Sequence, residues 1–248
     1  DLVWIKNRSA ADNHKLTDAV RGVTKELESN DNAGEVTNAD GLTAFGSDGF
    51  SLGDDDEYNT NTENYVSWNW KANGSGSSNE DGSINTTATS VNTTAGFSIS
   101  TYTGTGSNRT VTHNLGVAPE MMWVKKRTGS NNWKTFHSSL GGTKSMELNT
   151  TVAAETNGSA LWNSTAPTAS VFSLGSAGDV NSSSHLYIAY LFATVAGVSK
   201  IGSVSHTFGG GDTNVDCGFS NGCRFLLIKS TTHTYNWEVY DSVRGIVS

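Results

Sequence analysis

The chain is poor in cysteine, in cationic residues and in long apolar runs, and each shortage removes a class of protein. Only Cys217 and Cys223 are present, around a Gly-rich turn, so a disulfide framework is excluded. Two free buried thiols are the expectation, ahead of a Cys217–Cys223 bond. Sixteen Lys and Arg against 24 Asp and Glu give a formal charge of −8. No dense basic stripe is available to balance a phosphate backbone, which argues against nucleic acid as a partner. No apolar run approaches the roughly 20 residues that cross a bilayer, and no basic-then-apolar leader is visible, so no membrane insertion is expected. Asp1 opens directly into an apolar segment, as a cut end would. Motifs that carry chemistry are lacking as well. There is no HExxH and no GxSxG, Gly209-Gly210-Gly211 is not followed by Lys-Ser or Lys-Thr, and the acids Asp54 to Glu57 lack the spacing of a calcium loop. Neither a catalytic residue nor a cofactor is expected.

What is abundant is Asn, Ser, Thr and Gly, while charged residues make up 16% of the chain. This is the composition of short strands joined by many turns rather than of helices.

The strongest signal is an internal repeat. Residues 1–22, DLVWIKNRSAADNHKLTDAVRG, align without a gap on 120–141, EMMWVKKRTGSNNWKTFHSSLG, and on 224–245, RFLLIKSTTHTYNWEVYDSVRG. Lys6, Lys125 and Lys229 coincide, as do Gly22, Gly141 and Gly245, and Asp18 matches Asp241 with His137 between them. A second block keeps the order: GFSLG at 49–53 matches VFSLG at 171–175, and Tyr65 to Trp70 matches Tyr187 to Phe192. A weaker third block starts at Gly96 and at Gly197. The expected organisation is a first unit over 1–95 that lacks its opening strands and ends in a Ser/Asn/Gly-rich linker over 73–95. A complete second unit covers 96–197, and the start of a third covers 198–248.

Each copy opens with an apolar run closed by Lys, which marks a strand buried on both faces. A polar turn and a second, alternating arm follow, and a hairpin is the simplest joining. Lys6 with Asp18, and Lys229 with Asp241, sit twelve residues apart on the two arms, suggesting a cross-strand ion pair worth about 0.2–1 kcal/mol. The fold expected is all-β, a tandem array of antiparallel β-sandwich units of jelly-roll or lectin-like form. Trp133 and Trp237 hold matching places where the first copy has His14. Flat rings there would stack on a glycan or fill a partner's pocket, although packing on the second hairpin arm is the reading favoured.

The phrases DLVWIKNRS with a later DAVRG, GVAPEMMWVKKR, and DGFSLG followed by NYVSWNWKA resemble a repeated domain of unknown function. It is found in structural and tail-fibre-like proteins of marine bacteriophages, cyanophages among them. The resemblance covers most of the chain and carries no catalytic residue to transfer. It implies a virion surface or tail component that assembles with itself, a trimer included, and with other virion proteins, and that touches bacterial surface glycan. A bacterial cell-surface adhesin or extracellular filament subunit, and after it a polysaccharide depolymerase, are the competing expectations.

Overall fold

The computed structural model describes residues 1–207 and 209–245. The first copy folds as β1 (Leu2–Asn7), β2 (Lys15–Asp18), β3 (Lys25–Glu28), β4 (Val36–Thr37), β5 (Leu42–Phe45), β6 (Phe50–Leu52), a one-turn helix α1 (Asp56–Asn59) and β7 (Tyr65–Trp70). Then come β8 (Ser77–Asn79), β9 (Thr86–Asn92), β10 (Phe97–Thr103) and β11 (Arg109–Thr112). The second copy repeats the first as β12 (Met121–Lys126), β13 (Lys134–His137), β14 (Lys144–Glu147), β15 (Glu155–Thr156), β16 (Val171–Leu174), α2 (Gly178–Asn181) and β17 (Leu186–Phe192). The third copy contributes one hairpin, β18 (Phe225–Ile228) and β19 (Glu238–Asp241).

Two antiparallel sheets carry the fold. Their strand orders are β4-β3-β2-β1-β7 and β15-β14-β13-β12-β17-β10-β9-β8, so the first five strands of the second sheet reproduce the first sheet position by position. The small pairs β5-β6 and β11-β16 form the layers stacked on them. The architecture is the all-β antiparallel sandwich that the turn-rich composition implied.

Strand periodicity explains why the opening strands are apolar at every position. Side chains alternate between faces. Val3 and Ile5 pack with Leu42 and Tyr58 under β5 and β6, while Met122 and Val124 pack with Val111, Phe172 and Trp162 under β11 and β16. The opposite faces, Leu2 and Trp4, Trp123, and Phe225 and Leu227, meet in one central cluster shared by all three copies. There the Trp4 ring centroid lies 5.0 Å from Trp68, 5.8 Å from Trp123 and 6.4 Å from Phe225. Each fully buried side chain of this size stabilises the assembly by about 1.5–3 kcal/mol, so the copies are held by a common core.

Four expectations are corrected. The stretch 73–95 is not a free linker: β8 and β9 lie inside it, and β9 pairs with β10 from Asn92↔Phe97 to Thr86↔Tyr102. Its side chains are small, but Thr86, Thr89 and Ser90 are buried, and Thr89 Oγ1 donates to Thr86 Oγ1 at 3.0 Å. The second sheet therefore begins near residue 77, and β7 is an edge where its counterpart β17 continues into β10.

Secondly, Lys6 does not pair with Asp18. The hairpin register sets Leu2 opposite Asp18, which leaves Lys6 four residues, roughly 13 Å, along the strand. Lys6 Nζ instead donates to the carbonyl oxygens of Asn7 and Ala10 at 2.6 and 2.9 Å, and Lys229 does the same to Ser230 and His233. Thirdly, Cys217 and Cys223 are free, as expected, but only half-buried. Among the described residues, 198–224 hold no strand, so the echo of β10 and β11 after Gly197 has no structural counterpart.

Candidate functional site

Carboxylates gather at one place in the first sheet. Glu26, Glu28 and Glu57 bring ligand atoms within 4.8 Å of one another, close enough to share a cation. The Lys15 ammonium already lies among them, 3.2 Å from Glu26, 2.6 Å from Glu28 and 2.5 Å from Glu57. Their charge is thus met by a side chain that is itself buried, and Tyr58 donates its hydroxyl to Glu26 at 2.7 Å. The second copy keeps a reduced version, Lys134 with Glu147 at 2.5 Å and with Asp179 at 3.8 Å. An ion cluster that recurs at matching strand positions ties β2 to β3, and β13 to β14. Asp55, from the acidic run, accepts from the Glu57 backbone N–H and caps α1.

The repeated Asp and Gly mark a second construction. Asp18 accepts the backbone N–H groups of Val20 and Arg21 at 3.0 and 2.9 Å and the Arg21 Nε at 2.5 Å. Asp241 does the same for Val243, Arg244 and the Arg244 guanidinium. The turn ends at Gly22 (φ 94°), Gly141 (φ 72°) and Gly245 (φ 140°), backbone angles that a Cβ would strain. At the middle position His137 Nδ1 accepts from Ser139 N–H at 3.2 Å, so a different acceptor serves the same turn.

These turns also face another copy. Tyr190 donates its hydroxyl to Asp18 at 2.7 Å, and Trp68, the residue matching Tyr190, donates its indole N–H to Asp241 at 3.2 Å. The Arg244 guanidinium carbon stands 5.0 Å over the Trp68 ring, a cation–π contact worth about 0.5–2 kcal/mol.

The aromatic positions singled out from sequence sit in the same joints. Trp133 is fully buried and its Nε1 donates to the carbonyl of Glu28 in the first copy at 2.8 Å. Trp237, half-buried, donates to the carbonyl of Glu147 in the second copy at 2.8 Å. Glu28 and Glu147 are matching positions, so one joint is built twice. The repeated Lys residues join it: Lys125 reaches the Asn32 carbonyl at 3.0 Å, and Lys229 the matching Thr151 carbonyl at 3.2 Å. Backbone N–H groups of Glu35 and Ala154 complete the pattern by donating to Arg127 and Thr231, at 2.8 and 3.0 Å. Burial lowers the Lys125 ammonium from 10.5 to about 8, while nearby Asp31 opposes the shift.

Trp133 is therefore not offered to a glycan; its ring stacks 6.2 Å from Tyr190 inside the protein. Sequence reasoning missed its acceptor strand. The signal was present: Lys25-Glu26-Leu27-Glu28 and Lys144-Ser145-Met146-Glu147 extend the repeat three residues beyond the glycine turn. His14 lies at the same position in the first copy, beside a cavity of about 420 Å³ lined by Lys6, Arg8, Trp68, Trp237 and Arg244. Burial first, then the Lys6 and Arg244 charges, hold the His14 imidazole down to about 4. Its Nδ1 is buried without a hydrogen-bond partner, as are Trp4 Nε1, Trp123 Nε1 and Thr135 Oγ1.

No curated protein and no solved structure matches the chain. The model of one family, described as a domain of unknown function, DUF7483, matches residues 1–247, and the chain belongs to that family.

Proposed function

We propose that this chain is a non-catalytic structural module, a piece of a bacteriophage tail fibre or virion surface appendage that presents β-sandwich units to a bacterial envelope. The observation that carries the reading is the twice-built joint. Trp133 with Lys125, and Trp237 with Lys229, fasten the second and third copies each to the copy that precedes it in the chain. A repeat that uses its marked aromatic and cationic positions on its own neighbours is suited to a rigid body. The sequence resemblance to tail-fibre-like proteins adds the virion setting. Surface contacts of such a body are individually weak and gain strength from multiplicity.

Labelling intact particles with an antibody raised against the chain tests this. Decoration of virions, together with no release of reducing ends from host polysaccharide, is the expected result. Labelling of cells but never of particles overturns the virion reading, and reducing-end release overturns the non-catalytic one.

A further inference from the structure

The two-stranded layer of β11 and β16 lies over the second sheet as a lid. Its side chains Val111, Phe172 and Leu174 share one apolar cluster with Met122, Val124 and Trp162 of the second copy, and Leu115, just past the end of β11, is buried in the same cluster. Two buried serines of β10 tie the lid to the sheet. Ser100 Oγ donates to the Thr112 carbonyl at 3.1 Å and Ser98 Oγ to the His113 carbonyl at 2.7 Å.

His113 closes the end of this layer where β11 stops and the chain enters β16. Its backbone N–H donates to the Ser170 carbonyl at 3.2 Å, and both ring nitrogens are engaged. Nδ1 accepts the Leu115 backbone N–H at 3.2 Å, so the ring proton sits on Nε2, which donates to the Thr168 carbonyl at 3.1 Å. Asn114 between them takes the left-handed conformation, φ 57°, as the chain turns back on the ring. The residue is fully buried. The groups that bond it are Ser98 from β10, Leu115 from the turn, and Thr168 and Ser170 from the chain leading into β16, and none of them titrates near neutral pH. Burial, opposed only by the Thr168 carbonyl, sets the proton affinity of the ring, with no charged side chain acting on it.

A second ring proton has no place in this arrangement. On Nδ1 it would point at the Leu115 N–H, setting two donors face to face, and it would leave an unpaired charge in an apolar layer. The imidazolium is accommodated only where water reaches it, which requires the ring to leave the Leu115 N–H and the turn to swing out.

We propose that His113 is an acid-sensitive latch on the lid: protonation of Nδ1 breaks its bond to Leu115, withdraws Leu115 from the cluster and opens β11 and β16 locally, while β12 and β17 beneath stay paired. The layer over the first sheet, β5 with β6, holds no histidine, so the latch distinguishes the second copy from the first. The inference is independent of the virion reading. With the ring at about 4 in the closed state against 6.5 ordinarily, opening is unaffected above pH 6.5. It becomes about tenfold more favourable for each unit of pH between 6.5 and 4.

Amide hydrogen exchange of the 248-residue chain, followed by NMR between pH 6.5 and 4.5 and expressed as protection factors, tests this. Protection in β11, in β16 and at Leu115 should lie below that of β12 and β17 at every pH and should fall about tenfold per unit as the pH drops. His113→Gln, which keeps a donor and an acceptor without titrating, should remove that fall. Lid protection that does not change with pH overturns the latch. So does a fall that persists in full in the variant, or a lid protection equal to that of β12 and β17 throughout, which would make the opening global. Should the variant fail to fold, the carbon-bound ring protons of His113 are titrated in the wild type, and a midpoint near 6.5 in the closed state overturns the proposal equally.

Discussion

Replacing Trp133 by Phe isolates the bond between the first two copies. The indole N–H donates to a backbone carbonyl, that of Glu28, so no change in the Glu28 side chain can restore or remove it. Phe keeps a ring against Tyr190, 6.2 Å away, and removes the donor with part of the ring volume. Losing one partner of a buried hydrogen bond costs about 1–3 kcal/mol. The smaller ring leaves a void whose cost grows with its volume, and a total of about 2–4 kcal/mol is expected. Trp237→Phe removes the matching bond at a half-buried position, where water replaces the donor, and about 1 kcal/mol is expected. Urea unfolding followed by far-ultraviolet circular dichroism measures both. The midpoint should fall while the slope stays fixed, because the surface exposed on unfolding hardly changes. A Trp133→Phe loss below about 0.5 kcal/mol, or one equal to that of Trp237→Phe, would refute the claim that this donor holds the joint.

The other expectations follow from buried charge. Asp18→Asn removes one of the two carboxylates, Asp18 and Glu35, that face the fully buried Arg21 guanidinium and should destabilise by about 1.5–3 kcal/mol, the worth of a hydrogen bond to a charged group. Asp241→Asn, beside a quarter-exposed Arg244, should cost about 1 kcal/mol, and calorimetry of the two variants orders them. Lys125 titrates at about 8 in the folded chain against 10.5 ordinarily. Above pH 8 the unfolded state therefore binds more protons, and stability should rise from pH 8 to 9.5 in the wild type. In Lys125→Met that rise should be smaller; a wild-type curve parallel to the variant's contradicts the assignment. Burial holds His113 at about 4, with its Nε2 facing the Thr168 carbonyl at 3.1 Å. Its stabilisation is complete above pH 6.5 and is lost as pH falls toward 4, because the unfolded histidine takes its proton first. His113→Gln should flatten the stability curve between pH 6.5 and 5, above the carboxylate range, and an unchanged slope there would exclude His113 as its source.

Much of the local structure was legible. The apolar runs at Leu2, Met121 and Phe225 became the opening strands, the first two covered on both faces and the third on one, and the alternating arms became β2, β13 and β19. The polar strands were not legible. In β8 and β9 the buried positions are Thr86, Thr89 and Ser90, whose hydroxyls bond one another, Ser100 and the backbone of Asn73 and Asn79 instead of contributing apolar area, so hydropathy reads them as a loop. The Thr-rich sequence, β-branched at Thr86, Thr87, Thr89 and Val91, was the available clue. The Lys6–Asp18 pairing failed for a different reason. A separation of twelve residues says nothing about register until the turn is known, and here the turn sets Asp18 opposite Leu2. The central cluster was least legible, since a repeat in sequence does not tell whether its copies lie in a row or around an axis.

Departures from the repeat explain why the two formed joints are unequal. The first has the Arg127–Glu35 pair and a buried Tyr190 hydroxyl shared between Asp18 and Arg21. Gly34 there lets two backbones approach so closely that a Cβ would stand 2.9 Å from the Gly129 nitrogen. The second joint has Thr231 and Ala154 at the matching places and keeps only the backbone bond between them. In the third copy Leu226 is half-buried and Ile228 exposed, where Met122 and Val124 are covered by β11 and β16. One hairpin therefore holds its place through a single face, by Phe225, Leu227 and Trp237 against the shared core. Its attachment depends on the neighbouring copies rather than on a layer of its own.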